Sequence, residues 1–185
     1  MQLDRLVFVT SNVDKLKEAE AVLGFSLDHR SLDLEEIQSL ELEEVVSHKA
    51  AAAFGRLQRP ALVEDTSLEL KGLGGFPGPL IRWLLTSVGP EGICRIANAF
   101  DDTSATVRCI AMASDGVEEV MGLGVVTGHI VSAPRGRRGF GWDSTFAPDG
   151  FDGRTFGEMD AAEKNSISHR KLAFQNLREA LEDRR

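Results

Sequence analysis

The chain contains no tyrosine, only two tryptophans and two cysteines, and no long apolar run. Cys94 and Cys109 sit in apolar contexts without metal-ligand spacing, which argues against a thiolate metal cluster and reads as two small buried thiols in a reducing cytoplasm. The amino terminus, MQLDRLVFVT, carries too short an apolar stretch for a signal peptide or a membrane anchor and is expected to hold the first strand. A basic balance is missing as well. With 21 Lys and Arg against 29 Asp and Glu, the net charge of -8 and pI near 5.0 argue against a general nucleic-acid binder, which usually neutralises phosphates with a cationic face. Internal repeats and linkers are also absent.

What remains is the composition of a folded protein, 42% apolar and 27% charged over 185 residues. That length is expected to form one domain over residues 1–185 with a core of its own. Leu6 to Val9 reads as a strand, Thr10-Ser11-Asn12 as a turn, and Leu16, Ala19, Val22 and Leu23 as the apolar stripe of a helix stopped by Gly24. Ser11, with Asp14 three residues on, and Asn12 are both suitable helix caps. A strand is expected around 26–32, an alanine-rich helix over about 42–57, and a buried strand opening at Pro60 and ending in the acids Glu64 and Asp65. Residues 72–79 form a loop by composition, with helices from about Leu80 and Pro90. Thr103 to Ser114, the turn Asp115-Gly116 and Val117 to Val131 read as an antiparallel section, and a last helix runs from about Ser168 to Leu181. The sum is an α/β protein with a mixed sheet.

Four segments carry residues suited to chemistry. Lys15 lies in the first turn of the first helix, where unsatisfied N–H groups and the helix dipole disfavour a cation unless an anion is bound there. Thr10, Ser11, Asn12 and Lys15 could therefore line a phosphate site; a capped helix with a solvated lysine is the alternative. In EKNSISHRKLAF, Lys164, His169 and Arg170 cluster at the last helix start as further donors, or as a polar helix start only. FGWDSTFAPDG reads as a loop that sets Phe140, Trp142 and Phe146 beside Asp143, which suits stacking on a flat heterocycle or, alternatively, a small hydrophobic cluster under the loop. Glu64 and Asp65, with Glu35 and Glu36 in another acidic turn, offer oxygens for Mg²⁺, a hard ion held by one or two carboxylates plus substrate phosphates. Strand neighbours point to opposite faces, so only one of Glu64 and Asp65 is expected to face the ion.

Taken in order, VFVTSNVDKLKE, DLEEIQ, VEDTSLEL, GGFPGP, PRGRRGFGWDSTFAPDG, TFGEM and AEKNSISHRKLAF make a sequence that resembles the inosine triphosphate pyrophosphatase family over nearly its whole length. The resemblance implies an elongated, two-lobed α/β fold with a central mixed sheet flanked by helices, a cleft between the lobes, and a homodimer. It implies hydrolysis of non-standard purine nucleotides (ITP, dITP, XTP) to the monophosphate and pyrophosphate with Mg²⁺, Mn²⁺ being the alternative ion. Carried over by position, Thr10, Ser11, Asn12, Lys15 and Lys49 are phosphate contacts, Glu36 and Asp65 the metal acids, and Asp65 also the general base. Phe140, Gly141, Trp142, Asp143, Lys164, His169 and Arg170 match nucleotide-binding positions. Two other readings stand beside this one: a nucleotide-binding sensor without turnover, and a pyrophosphatase for other modified nucleotides. Neither involves a membrane or a nucleic acid.

Overall fold

The computed structural model describes residues 1–184. The main elements are β1 (Val7–Val9), α1 (Val13–Leu23), β2 (Asp28–Arg30), α2 (Leu42–Leu57), β3 (Ala61–Leu70), β4 (Pro77–Gly78), α3 (Ile81–Ala97), β5 (Ser104–Ser114), β6 (Glu119–Ile130), β7 (Phe146–Pro148), α4 (Ala161–Ile167) and α5 (His169–Glu182). The seven strands form one mixed sheet in the order β2-β1-β3-β5-β6-β7, with β4 paired to the end of β3. β1 runs parallel to β2 and β3, whereas β3, β5, β6 and β7 are successively antiparallel, so the expected mixed α/β sheet is present.

Helices cover both faces. Alternation along β1 sends Phe8 to the α1 and α5 side, where it meets Phe174 edge-on at 5.9 Å, and sends Val7 and Val9 to α2. α5 lies close on β6 because Gly122 and Gly124 carry no side chain there: a Cβ on Gly124 would come within 1.9 Å of the His169 carbonyl oxygen. A third apolar cluster, around Ile93, Ile130, Phe146 and Phe156, fills the far end of the sheet. Among the described residues no helix is long and apolar enough to cross a membrane.

Several expected boundaries shift. Asn12, not Ser11, caps α1, its side-chain oxygen accepting from the Asp14 and Lys15 amides at 2.9 and 3.1 Å. β3 does not stop at Glu64 and Asp65; it continues through both acids to Leu70, because β5 pairs with it along its whole length. Residues 140–150 are not all loop, since β7 lies within them and Phe146 is a fully buried core residue. Lys164 belongs to a separate short helix, α4, which ends where Ser168 turns extended and caps α5 by accepting from the Lys171 amide at 3.2 Å.

Candidate active site

β1 supplies the first condition for a site by being short. Its parallel pairing with β3 ends at Phe8 and Leu62, so beyond that point the neighbouring edge of β3 is left to the turn at 10–15. Glu64 and Asp65 emerge at this step in the sheet. A pocket of about 770 Å³ opens there, lined by the 9–13 turn with Lys15, by 31–34 and 36–38, by Val45 and Lys49 of α2, by Asp65 and Thr66, by 79–83 with Leu85, and by 140–142.

The two acids part company across the strand. Asp65 turns to the pocket, where its Oδ1 accepts from the Thr66 amide at 2.8 Å and its Oδ2 lies 3.3 Å from Lys49 Nζ. The same ammonium lies 3.0 Å from Glu36 Oε1, so two carboxylates from distant segments converge on one cation. Burial disfavours the Lys49 charge, yet Asp65 and then Glu36 outweigh it and raise its pKa well above the ordinary lysine range. Glu64 turns the other way and is buried against α1 and α5. Its Oε2 accepts from Arg170 Nε and Nη2 at 3.3 and 3.2 Å, and its Oε1 pairs with Lys15 at 2.5 Å. Burial alone would lift the Glu64 carboxyl, but Arg170 and then Lys15 hold it well below the usual carboxylate range.

Behind Phe140 the charges continue. Lys164 reaches Asp143 at 2.6 Å and Glu18 at 2.7 Å, and Glu18 also binds Arg170. Burial raises the Asp143 carboxyl in spite of Lys164. Lys164 Nζ lies 4.7 Å from the Phe140 ring centroid, with the Arg170 guanidinium at 5.7 Å. His169 is buried 5.5 Å from Trp142, its Nδ1 without a hydrogen-bond partner, and burial followed by the charges of Arg170 and Lys164 holds its pKa well below the usual value.

Thr10, Ser11, Asn12, Lys15, Glu36, Lys49, Asp65, Phe140, Gly141 and Trp142 thus share one pocket. Asp143, Lys164, His169 and Arg170 are buried and are not among its lining residues. Glu18, Arg82 and Trp83 escaped the sequence reading. Glu18 follows Lys15 by three residues, hence on the same helical face, which is the one signal that could have found it. Arg82 approaches Glu36 at 3.7 Å at the pocket edge, and a lone arginine in the apolar stretch LIRWLL gives no cue to that contact.

The all-oxygen pair Glu36 and Asp65 suits a hard divalent cation that draws its other ligands from water and phosphate. That they already hold an ammonium between them supports the fit. Among the described residues no group of three or more His, Cys, Asp or Glu forms a closed metal cage. A capped helix start, lysines and a paired-acid edge within one pocket define a protein built to receive a phosphorylated ligand.

Comparison with known proteins gives the class a family. Residues 6–180 match the Ham1 family, and the chain belongs to it. It is 42% identical over 184 residues to the inosine triphosphate pyrophosphatase of Schizosaccharomyces pombe, covering 97% of this chain and 96% of that one. The Neurospora crassa protein of the same name is 43% identical over 176 residues, covering 93% and 90%. Among solved structures, a HAM1 protein from Coxiella burnetii superposes with a TM-score of 0.77 at 28% identity, covering 96% of this chain and 99% of that one. The Staphylococcus aureus Ham1 protein shares the fold with a TM-score of 0.73 at 24% identity, covering 98% and 100%.

Proposed function

We propose that this chain is a nucleoside triphosphate pyrophosphatase that hydrolyses the non-standard purine nucleotides ITP, dITP and XTP to the monophosphate and pyrophosphate. It acts in the cytoplasm as a one-domain protein in a homodimer. The observation that carries the reading is the convergence of Asp65, Glu36 and Lys49 beside the capped start of α1, in the pocket that also holds Phe140. Near full-length identity to proteins named inosine triphosphate pyrophosphatase supports the substrate class.

The triphosphate binds on the 10–15 turn and Lys49, where Lys15 and Lys49 bring positive charge to the pocket lining. The base lies against Phe140, Gly141 and Trp142, with Asp143, Lys164, His169 and Arg170 fixing that wall. Asp65 accepts a proton from the attacking water as its oxygen bonds to the α-phosphorus and the bond to the bridging oxygen breaks. Lys15 and Lys49 offset the charge that builds on departing pyrophosphate. Mg²⁺, or Mn²⁺ in its place, held by Glu36 and Asp65, would neutralise phosphate oxygens and polarise the reacting centre.

The test is pyrophosphate release from ITP, XTP, dITP, GTP and ATP with Mg²⁺, with EDTA and Asp65→Asn as controls. Fast, chelator-sensitive release from ITP and XTP, with little from ATP, is the expected result. Equal kcat/KM for ITP and ATP refutes the purine selectivity, and binding of ITP without release makes the chain a sensor.

A further inference from the structure

The two tryptophans have opposite environments. Trp142 is 8% exposed and packs edge-on against Phe146 at 6.1 Å, so the apolar interior accounts for it. Trp83 is 61% exposed. Among the described residues it has no aromatic or cationic partner at stacking distance. Nor does it hold α3 in place: Ile81, Ile93, Cys94 and Ala97 are the helix's buried apolar residues. A large indole left in water is unusual, because aromatic side chains carry the greatest apolar area to bury.

Its position gives it a use. Trp83 lines the pocket, and its neighbours reach both ends of the site. Arg82 lies 3.7 Å from Glu36 at the acid end, while Leu85 lies 3.7 Å from where a Cβ on Gly141 would stand, at the aromatic wall. The first turn of α3 therefore spans the interval between the phosphate-binding residues and Phe140. A nucleotide extended between those two ends would run alongside this turn.

We propose that Trp83 is a substrate-contacting residue whose indole covers the nucleoside portion of the bound triphosphate from the α3 wall. The proposal rests on the reading of the pocket as a nucleotide site. An aromatic face stacks on any purine, so Trp83 contributes binding and leaves base selection to other groups. A tryptophan so exposed could equally meet a second copy of the chain, and the experiment separates the two.

The intact protein is titrated with the non-hydrolysable α,β-methylene analogue of ITP while tryptophan emission is followed, in wild type and Trp83→Phe. A saturable change in wild type that is clearly diminished in Trp83→Phe is expected, the remainder coming from Trp142, which lines the same pocket. In steady-state assays Trp83→Ala should raise KM for ITP about tenfold or more, with kcat within about threefold, as the loss of one stacking face implies. The ITP-to-ATP ratio of kcat/KM should not move, and Trp83→Phe should restore most of the affinity. The proposal is overturned if KM stays within about twofold, if the emission change is undiminished in Trp83→Phe and so belongs to Trp142 alone, or if only the mass by light scattering changes. Wild type that releases no pyrophosphate while the analogue still perturbs Trp83 removes the hydrolase reading and keeps the contact. Normal turnover insensitive to Trp83→Ala removes the contact alone, and the absence of both turnover and an emission change removes both.

Discussion

Glu64 and Asp65 are adjacent on β3 and serve opposite faces of the sheet: Glu64 is sealed against Arg170 and Lys15, while Asp65 looks into the pocket with Lys49. The two-residue repeat of a strand makes this division unavoidable. It places a structural carboxylate and a reactive one within a single peptide unit.

Substitution should separate them. Asp65→Asn is expected to lower kcat by about 100-fold or more, the ordinary scale of a lost general base, while urea unfolding stays near wild type because the side chain is partly solvated. Glu64→Gln should instead cost about 3 kcal/mol of stability, since it takes a shared counter-charge from the buried Arg170 and the partly buried Lys15. Equal stability of the two variants would remove the division of labour.

Lys49 supports a second expectation. Its ammonium holds Glu36 and Asp65 together at 3.0 and 3.3 Å, so it neutralises the same oxygens that a divalent cation would take. Lys49→Met should weaken triphosphate binding, raising KM about tenfold or more, yet bind Mn²⁺ several-fold more tightly without nucleotide, because the competing cation is gone. Calorimetric titration with Mn²⁺ reads the second effect, and unchanged or weaker Mn²⁺ affinity would contradict it.

How far the sequence revealed this arrangement depended on where the determining contacts lie. The helix over Leu42–Leu57 follows from its own alanine-rich pattern and the Pro60 beyond it, and the β5–β6 hairpin from its turn residues. The apolar run alone ends β3 too early because two acids interrupt it, and what permits them is remote: Arg170 meets Glu64 from 106 positions away. Phe146 looked like a loop aromatic because a three-residue strand is too short for alternation to register. Glu18, Arg82 and Trp83 gain their meaning only from chain segments brought alongside, which no local pattern encodes.

His169 gives a dependence of stability on pH with a definite sign. Its folded pKa lies well below the usual value because burial, then Arg170 and Lys164, oppose its charge, whereas in the unfolded chain it titrates near about 6.5. Below that pH the unfolded state binds the extra proton, so stability is fully present above about pH 6.5 and falls by about 1.4 kcal/mol per unit as pH drops further. Asp143, whose carboxyl burial raises, contributes with the opposite sign above its unfolded pKa, so the informative quantity is a difference between proteins. Between about pH 7 and 5.5, unfolding free energy should decline less in His169→Gln than in wild type, the gap widening as pH falls. Parallel curves would mean that the buried imidazole is not held neutral.

The seating of α5 on β6 joins fold to site, because the helix that carries His169 and Arg170 rests on two glycines. A Cβ at position 124 would meet the His169 carbonyl oxygen at 1.9 Å and the Ala173 amide nitrogen at 2.6 Å, both backbone atoms that no rotamer change can move. Gly124→Ala must therefore lift the first turn of α5 from the sheet. The expected cost is about 2–3 kcal/mol, in the range of overpacked cores. The displacement would also draw Arg170 from Glu64 and Glu18, loosening the wall behind Phe140. KM for ITP should rise in the same variant, although residue 124 is not among those lining the pocket. Gly55→Ala is the control, since a Cβ there meets nothing within 4 Å on a solvent-facing helix turn. It should leave KM unchanged and stability equal or slightly higher, as expected when alanine replaces glycine inside a helix. If Gly124→Ala behaves like this control, α5 does not need its close approach to β6, and the wall of the pocket is held by other contacts.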